Sequence, residues 1–184
     1  MSERYKVIDS TVPTFVTLTI LDWIDLFTKP QYTKVLDDSL NFCVQNKGLR
    51  IHAYVYMTSH IHLIVSSVDS PLENIIRDFK SHTSKVLIKT IQEYPESRRE
   101  WLLNKMSYAA DRIKRNANYK VWQDGFYPVI LDLPSKLGQR IKYIHENPME
   151  LQLVDHPENW INSSLLAYGD EPHQSNVKLD ILFR

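Results

Sequence analysis

The segment Thr14 to Ile20 (TFVTLTI) alternates β-branched and aromatic side chains with the two-residue period of a strand. Tyr32 to Lys47 carries apolar positions at helical spacing and stops before Gly48, which predicts an amphipathic helix. Two more strands are predicted over Leu49 to Met57 and His60 to Ser66, both rich in Ile, Val, Tyr and His. The Thr58-Ser59 break between them is short enough for an antiparallel hairpin. Pro71 opens a long helix through Ile91, with Leu72, Ile75, Ile76 and Phe79 at helical spacing, and a second helix is predicted near Glu100 to Lys114. Tyr119 to Leu131 reads as two short strand pieces around Asp124-Gly125. Pro134 then marks the first turn of a helix expected to end at or before Pro148. The order β-α-β-β-α-α-β-α predicts an α+β fold, an antiparallel sheet covered by helices on one face.

Length supports this simple architecture. The chain has 184 residues, 43% of them apolar, which suits one domain over 1–184 with a core of about 14–168 and short extensions at both ends. Only four glycines are present, with no repeats or flexible linkers to mark a second domain. The single cysteine, Cys43, excludes an internal disulfide and reads as a small buried hydrophobe. Neither a secretory signal nor a run long enough to span a bilayer is visible, so a soluble, cytoplasmic protein is expected.

Charge changes the picture. The formal net charge is zero, from 22 basic and 22 acidic residues, yet between Ile76 and His145 there are 14 Lys or Arg against 7 Asp or Glu. Such segregation fits a positive face able to follow a phosphate backbone. It also fits two oppositely charged solvated surfaces with no ligand.

Two groups of residues point to chemistry. Alternation along His60-Ile61-His62-Leu63-Ile64-Val65 puts His60 and His62 on one face and Ile61, Leu63 and Val65 on the other. Imidazoles two residues apart on a strand lie roughly 7 Å apart at Cα and can converge on one ion; otherwise they are polar positions on a half-buried sheet. His52, His82, His145, His156 and His173 lack such pairing and read as surface or hydrogen-bonded structural residues. In the predicted helix from Leu133 to Asn147, Leu133, Leu137, Ile141 and Ile144 form an apolar stripe that faces the core. Lys136, Gln139, Tyr143 and Asn147 form a second, polar stripe. A tyrosine hydroxyl, with an ordinary pKa of about 10, needs a metal or base to become a nucleophile. The alternative is a rim residue, and spacing alone does not rank the ten tyrosines.

The runs MTSHIHLIV (Met57 to Val65), DFKSHTS (Asp78 to Ser84), VWQDGFYPVIL (Val121 to Leu131), YIHENPMELQLV (Tyr143 to Val154) and SSLLAY (Ser163 to Tyr168) resemble, in order, single-tyrosine HUH transposases. The specific likeness is to the REP-associated tyrosine transposase group of the insertion-sequence transposase-like family, from about Thr14 to Tyr168. That resemblance implies a ferredoxin-like antiparallel sheet with helices packed on it. It also implies that His60 and His62 are the paired metal ligands, Tyr143 the nucleophile and Asn147 the third, amide ligand. The implied cofactor is Mg²⁺ or Mn²⁺, although the motif by itself would also tolerate Zn²⁺. The implied partner is single-stranded DNA next to a small hairpin. A homodimer stays open, and neither a membrane nor a nucleotide cofactor is expected. Thr58-Ser59 stands where many relatives have Pro-Asn, and the polar, basic segment that often follows the first strand is missing. Lys80, Lys85, Arg112, Lys114, Arg115, Lys136, Gln139 and Arg140 are candidates for DNA contact, and Trp122, Phe126 and Tyr127 for stacking on bases or for core packing. A water-activating metal-dependent phosphodiesterase would need the histidines without Tyr143, and a non-catalytic DNA-binding protein would need only the basic face.

Overall fold

In a computed structural model that describes residue 7 and residues 9–112, 118–169 and 177–182, four antiparallel strands form one sheet. The strands are β1 (Thr14–Thr19), β2 (Leu49–Tyr56), β3 (His60–Ser67) and β4 (Val129–Ile130), in the order β2-β3-β1-β4. Helix α1 (Pro30–Asn46) connects β1 to β2. Helices α2 (Leu72–Glu93) and α3 (Arg99–Asp111) follow β3, and α4 (Pro134–Glu150) follows β4. A short α5 (Leu165–Tyr168) is the last helix among the described residues, and 3-10 turns lie at Leu21–Trp23 and Pro157–Asn159. This is the α+β class expected from the element order and the ferredoxin-like sheet that the family resemblance implies, with strand pairing as its scaffold.

Helices cover both faces of the sheet, not one. The larger core packs Val16, Leu18, Ile20, Ile61, Leu63 and Val65 against apolar residues of α1, α2 and α3. A second core on the opposite face joins Phe15, Val55, Met57 and Ile64 to Leu137, Ile141 and Ile144 of α4. The amphipathic stripe on α4 required a sheet face of its own, because α1 and α2 already fill the other. Ile61, Leu63 and Val65 are completely buried, and each such side chain contributes about 1.5–3 kcal/mol through removal from water. Leu133 does not join the α4 stripe; it sits exposed at the N-cap.

A bulge at His52 lets β2 serve both cores. The β2–β3 register shifts between Ile51 and Ala53, so Leu49 and Ile51 face the larger core, and after the shift Tyr54 and Tyr56 do so. Ala53, Val55 and Met57 are thereby turned to the α4 side. The displaced His52 ring is held between the carbonyl of Asp180 at 2.7 Å and Ser66 Oγ at 2.8 Å. Two boundaries differ from the sequence reading. Helix α4 runs through Pro148 to Glu150, since a proline in the last turn removes one backbone donor without unravelling the turns before it. The stretch Tyr119 to Leu131 contributes only the two-residue β4 and an isolated bridge between Trp122 and Ile20.

Candidate active site

The histidine pair lies on the α4 side of β3, where register sets His62 opposite Thr17 and His60 opposite Thr19. Their ring centroids are 4.7 Å apart. Both are buried, at 8% and 5% exposure, so this face is covered and not open to solvent as a half-buried sheet would be. Thr17 Oγ1 meets His62 Nδ1 at 2.9 Å and Ser59 Oγ meets His60 Nδ1 at 3.2 Å. Hydroxyl contacts at Nδ1 leave the Nε2 side of each ring for another ligand. His62 Nε2 is buried with no hydrogen-bond partner among the described residues. Burial pulls the His62 pKa down to about 3, with the neighbouring His60 and the Arg140 guanidinium adding to the effect. Burial also lowers that of His60, against the opposing pull of the Asp25 carboxylate. Neutral imidazole is the form that ligates a metal.

Tyr143 comes to this pair from α4. Its ring lies 5.6 Å from that of His62 and 5.9 Å from Phe15, while Phe15 stacks on His62 at 5.2 Å. The Arg140 guanidinium sits 5.5 Å from the Tyr143 centroid and 4.9 Å from that of Phe15, so one cation faces both rings. Helix α4 docks on β2 and β3 through Leu137, Ile141 and Ile144, which holds Tyr143 at the edge of that core, half-buried. Asn147 is buried one helical turn further on, about 6 Å along the axis.

The donor set fits a divalent ion. An orphaned buried imidazole nitrogen beside a second imidazole is an unusual state for a polar atom, and a metal would satisfy it. Among the described residues, no group of three His, Cys, Asp or Glu comes together that could hold a metal.

Other predicted residues lie in varied settings. Trp122 is 4% exposed, donates its Nε1–H to Thr83 Oγ1 at 3.0 Å and packs on Phe27 and Phe79. It is a core residue, which corrects its assignment as a base-stacking one. Phe126 also packs on the larger core, and Tyr127 is exposed. Lys80 donates to the carbonyls of Gln123 and Gly125, each at 2.6 Å, and so ties α2 to the loop before β4. Lys85 and Arg112 are exposed on α2 and just after α3, Gln139 is exposed on α4, and Lys136 pairs with Asp132 at 2.7 Å. Lys114 and Arg115, like His173, lie outside the described residues. His145 is a structural histidine, bonded to Ser164 Oγ at 2.8 Å.

Sequence reasoning missed Thr17, Ser59, Phe15 and Trp23. Trp23 stands edge-on to His60 at 5.2 Å. Ser59 was visible next to His60, but the partnership of Thr17 and Phe15 with His62 depends on the β1–β3 register, which the separate strands do not disclose.

Fold and site together define a ferredoxin-like domain that presents a buried histidine pair and a tyrosine helix on one face of its sheet. The chain belongs to the IS200-like transposase family, whose model matches residues 24–119, a span that includes the histidines and ends before α4. A similar solved structure is described as a REP-associated tyrosine transposase bound to a REP hairpin. The TM-score is 0.63 and the identity 19%, over 98% of this chain and 99% of that one. No curated protein sequence matches the chain. Among the described residues, no helix is long and apolar enough to cross a membrane.

Proposed function

We propose that this transposase-family chain is a metal-dependent endonuclease and strand transferase for single-stranded DNA that works through a 5′-phosphotyrosine intermediate. The observation that carries the proposal is the unpartnered, buried Nε2 of His62 next to the Tyr143 ring. His60, His62 and Asn147 would hold Mg²⁺ or Mn²⁺. When bound, such an ion polarises a phosphate and offsets charge on its oxygens.

The chain's own residues do the rest. Thr17 and Ser59 fix the imidazole orientations through Nδ1. Phe15 packs against His62 and Tyr143 and keeps water from that side of the centre. The Tyr143 oxygen attacks the scissile phosphorus and loses its proton. The P–O3′ bond breaks, and the departing 3′ oxygen takes up a proton as a hydroxyl. Arg140, beside the Tyr143 ring, places a positive charge where the phosphate gains negative charge in the transition state. Attack by a second 3′-hydroxyl on the phosphotyrosine reverses the step and joins strands without a nucleotide cofactor. The hairpin on the similar solved protein supports a substrate with a small hairpin beside its unpaired segment.

The test mixes purified protein, Mn²⁺ or Mg²⁺, and hairpin-bearing single-stranded DNA labelled so that the 5′-phosphate fragment is followed. A label that migrates with the protein on a denaturing gel is expected. Cleavage without such an adduct would instead indicate attack by water, and salt-sensitive binding with no cleavage would indicate a binding protein.

A further inference from the structure

A surface hollow of about 410 Å³ opens between the 3-10 turn at Leu21–Trp23 and α3, and reaches the histidine pair through Trp23. Its lining includes Asp22, Trp23, Asp25, Arg98, Trp101 and Lys105, and its volume lies within the roughly 300–1,000 Å³ of small-ligand sites. Two indoles border it in exposed positions, Trp23 at 58% and Trp101 at 47%. Large apolar rings left in water around a concavity call for a ligand with a flat face. Trp23 also touches the site, edge-on to His60.

The backbone here is held in an uncommon form. Asp22 and Trp23 are consecutive non-glycine residues at φ of 52° and 55°, a left-handed conformation that side chains disfavour and that clusters at functional sites. Trp23 carries its exposed ring at the border of the hollow from this turn. Arg98 braces the same turn, donating to the carbonyl of Asp25 at 2.9 Å and pairing with Glu96. On α3, Trp101 and Lys105 are four residues apart and share a face. Lys105 is exposed at the rim.

We infer that this hollow is a nucleobase subsite, taking an unpaired base that flanks the scissile phosphate and favouring one with an exocyclic amino group. Trp23 and Trp101 supply the stacking surface. The carboxylates of Asp22 and Asp25, balanced in charge by Arg98 and Lys105 of the same lining, are the acceptors for an amino edge, as acidic side chains are for cytosine N4. Lys105 meets the backbone that passes over the rim. The inference rests on the proposed single-stranded DNA substrate.

It is tested by fluorescence anisotropy of the full chain with labelled oligo-dC and oligo-dT of about 20 nucleotides, enough to cover a single-strand site. EDTA is present so that no chemistry occurs. We expect oligo-dC to bind about fivefold more tightly than oligo-dT, the low end of one base-edge contact. Trp23→Ala and Trp101→Ala should each weaken both by roughly 5- to 150-fold, the range of one base stack. Asp22→Asn and Asp25→Asn should narrow the dC-to-dT ratio without that general loss. Circular dichroism and melting of each variant separate a binding defect from unfolding, and the two tryptophan variants serve as independent probes. Unchanged binding in both tryptophan variants, equal binding of the two oligomers, or no binding of either would overturn the inference. If the expected shifts occur but no Tyr143 adduct ever forms, the catalytic reading alone fails. If the adduct forms without the shifts, the subsite alone fails.

Discussion

Replacing Thr17 with valine would remove a hydroxyl while keeping the side-chain shape on β1. The 2.9 Å contact to His62 Nδ1 is the one hydrogen bond that orients that ring, because its Nε2 has no partner among the described residues. Valine therefore leaves the 5%-exposed ring with both nitrogens unbonded in the metal-free protein. Stranding a buried polar group costs about 1–3 kcal/mol. Part of that cost falls on folding, and part on metal affinity, because a freely tilting imidazole must be reoriented before it ligates. Loss of a bond that orients a metal ligand typically weakens binding about 10- to 100-fold, equivalent to about 1.4–2.8 kcal/mol. Titration calorimetry of the purified protein with Mn²⁺ reads this directly, and Ser59→Ala, which removes the longer 3.2 Å contact to His60, should weaken binding less. A Thr17→Val protein that melts as a folded domain and binds Mn²⁺ as tightly as the parent would refute the reasoning, because His62 would then not depend on that hydroxyl.

Further outcomes follow from other parts of the molecule. Burial raises the Glu96 pKa, but hydrogen bonds from the Arg98 backbone, Lys29, Tyr32 and the Arg98 side chain outweigh it and hold the carboxyl at about 2. A depressed acid stabilises the fold above its unfolded pKa of about 4.3. Glu96→Gln should therefore cost about 1–3 kcal/mol at neutral pH, with the gap to the parent narrowing as the pH falls from 4 toward 2, as denaturant titrations at each pH would show. Burial holds the His145 pKa at about 4, below its unfolded value, so this group lowers stability as the pH falls from about 6.5. A His145→Gln variant should show a flatter stability profile between pH 6.5 and 4, and an equal slope in both proteins would exclude His145 as its source. Trp122→Phe should lower the melting temperature through loss of the bond to Thr83 and leave single-stranded DNA affinity unchanged; a selective binding loss would return Trp122 to the interface.

Much of the fold was legible because each element carried its own period. In β3 the alternation alone separated His60 and His62 from Ile61, Leu63 and Val65, and the two cores divide along that line. Gly48 marked the end of α1, where φ is 68° and a Cβ would collide with the Asp69 side chain. What was not legible depended on partners distant in sequence. The bulge at His52 follows from two cores competing for β2, a demand that the separate strand does not disclose. That α4 would claim the second sheet face depended on α1 and α2 filling the first. Trp122 looked like a ligand contact because aromatic side chains suit nucleic acid, yet it is buried and bonded to Thr83, while Lys80 bonds the carbonyls of Gln123 and Gly125. The Thr17–His62 bond required the strand register. The role of Tyr143 follows from family likeness alone, and its ring lies next to that of His62.

The most direct test of Tyr143 as the covalent nucleophile compares the parent with Tyr143→Phe on a hairpin-bearing single-stranded DNA in Mn²⁺. Phenylalanine keeps the ring that packs on Phe15 and His62 and removes only the attacking oxygen. We expect the parent to yield an adduct whose tryptic peptide carries a 5′-phosphonucleotide on Tyr143, and the variant to bind the DNA normally but give neither adduct nor cleavage. Cleavage that persists in Tyr143→Phe, or an adduct located on another tyrosine, would contradict the assignment.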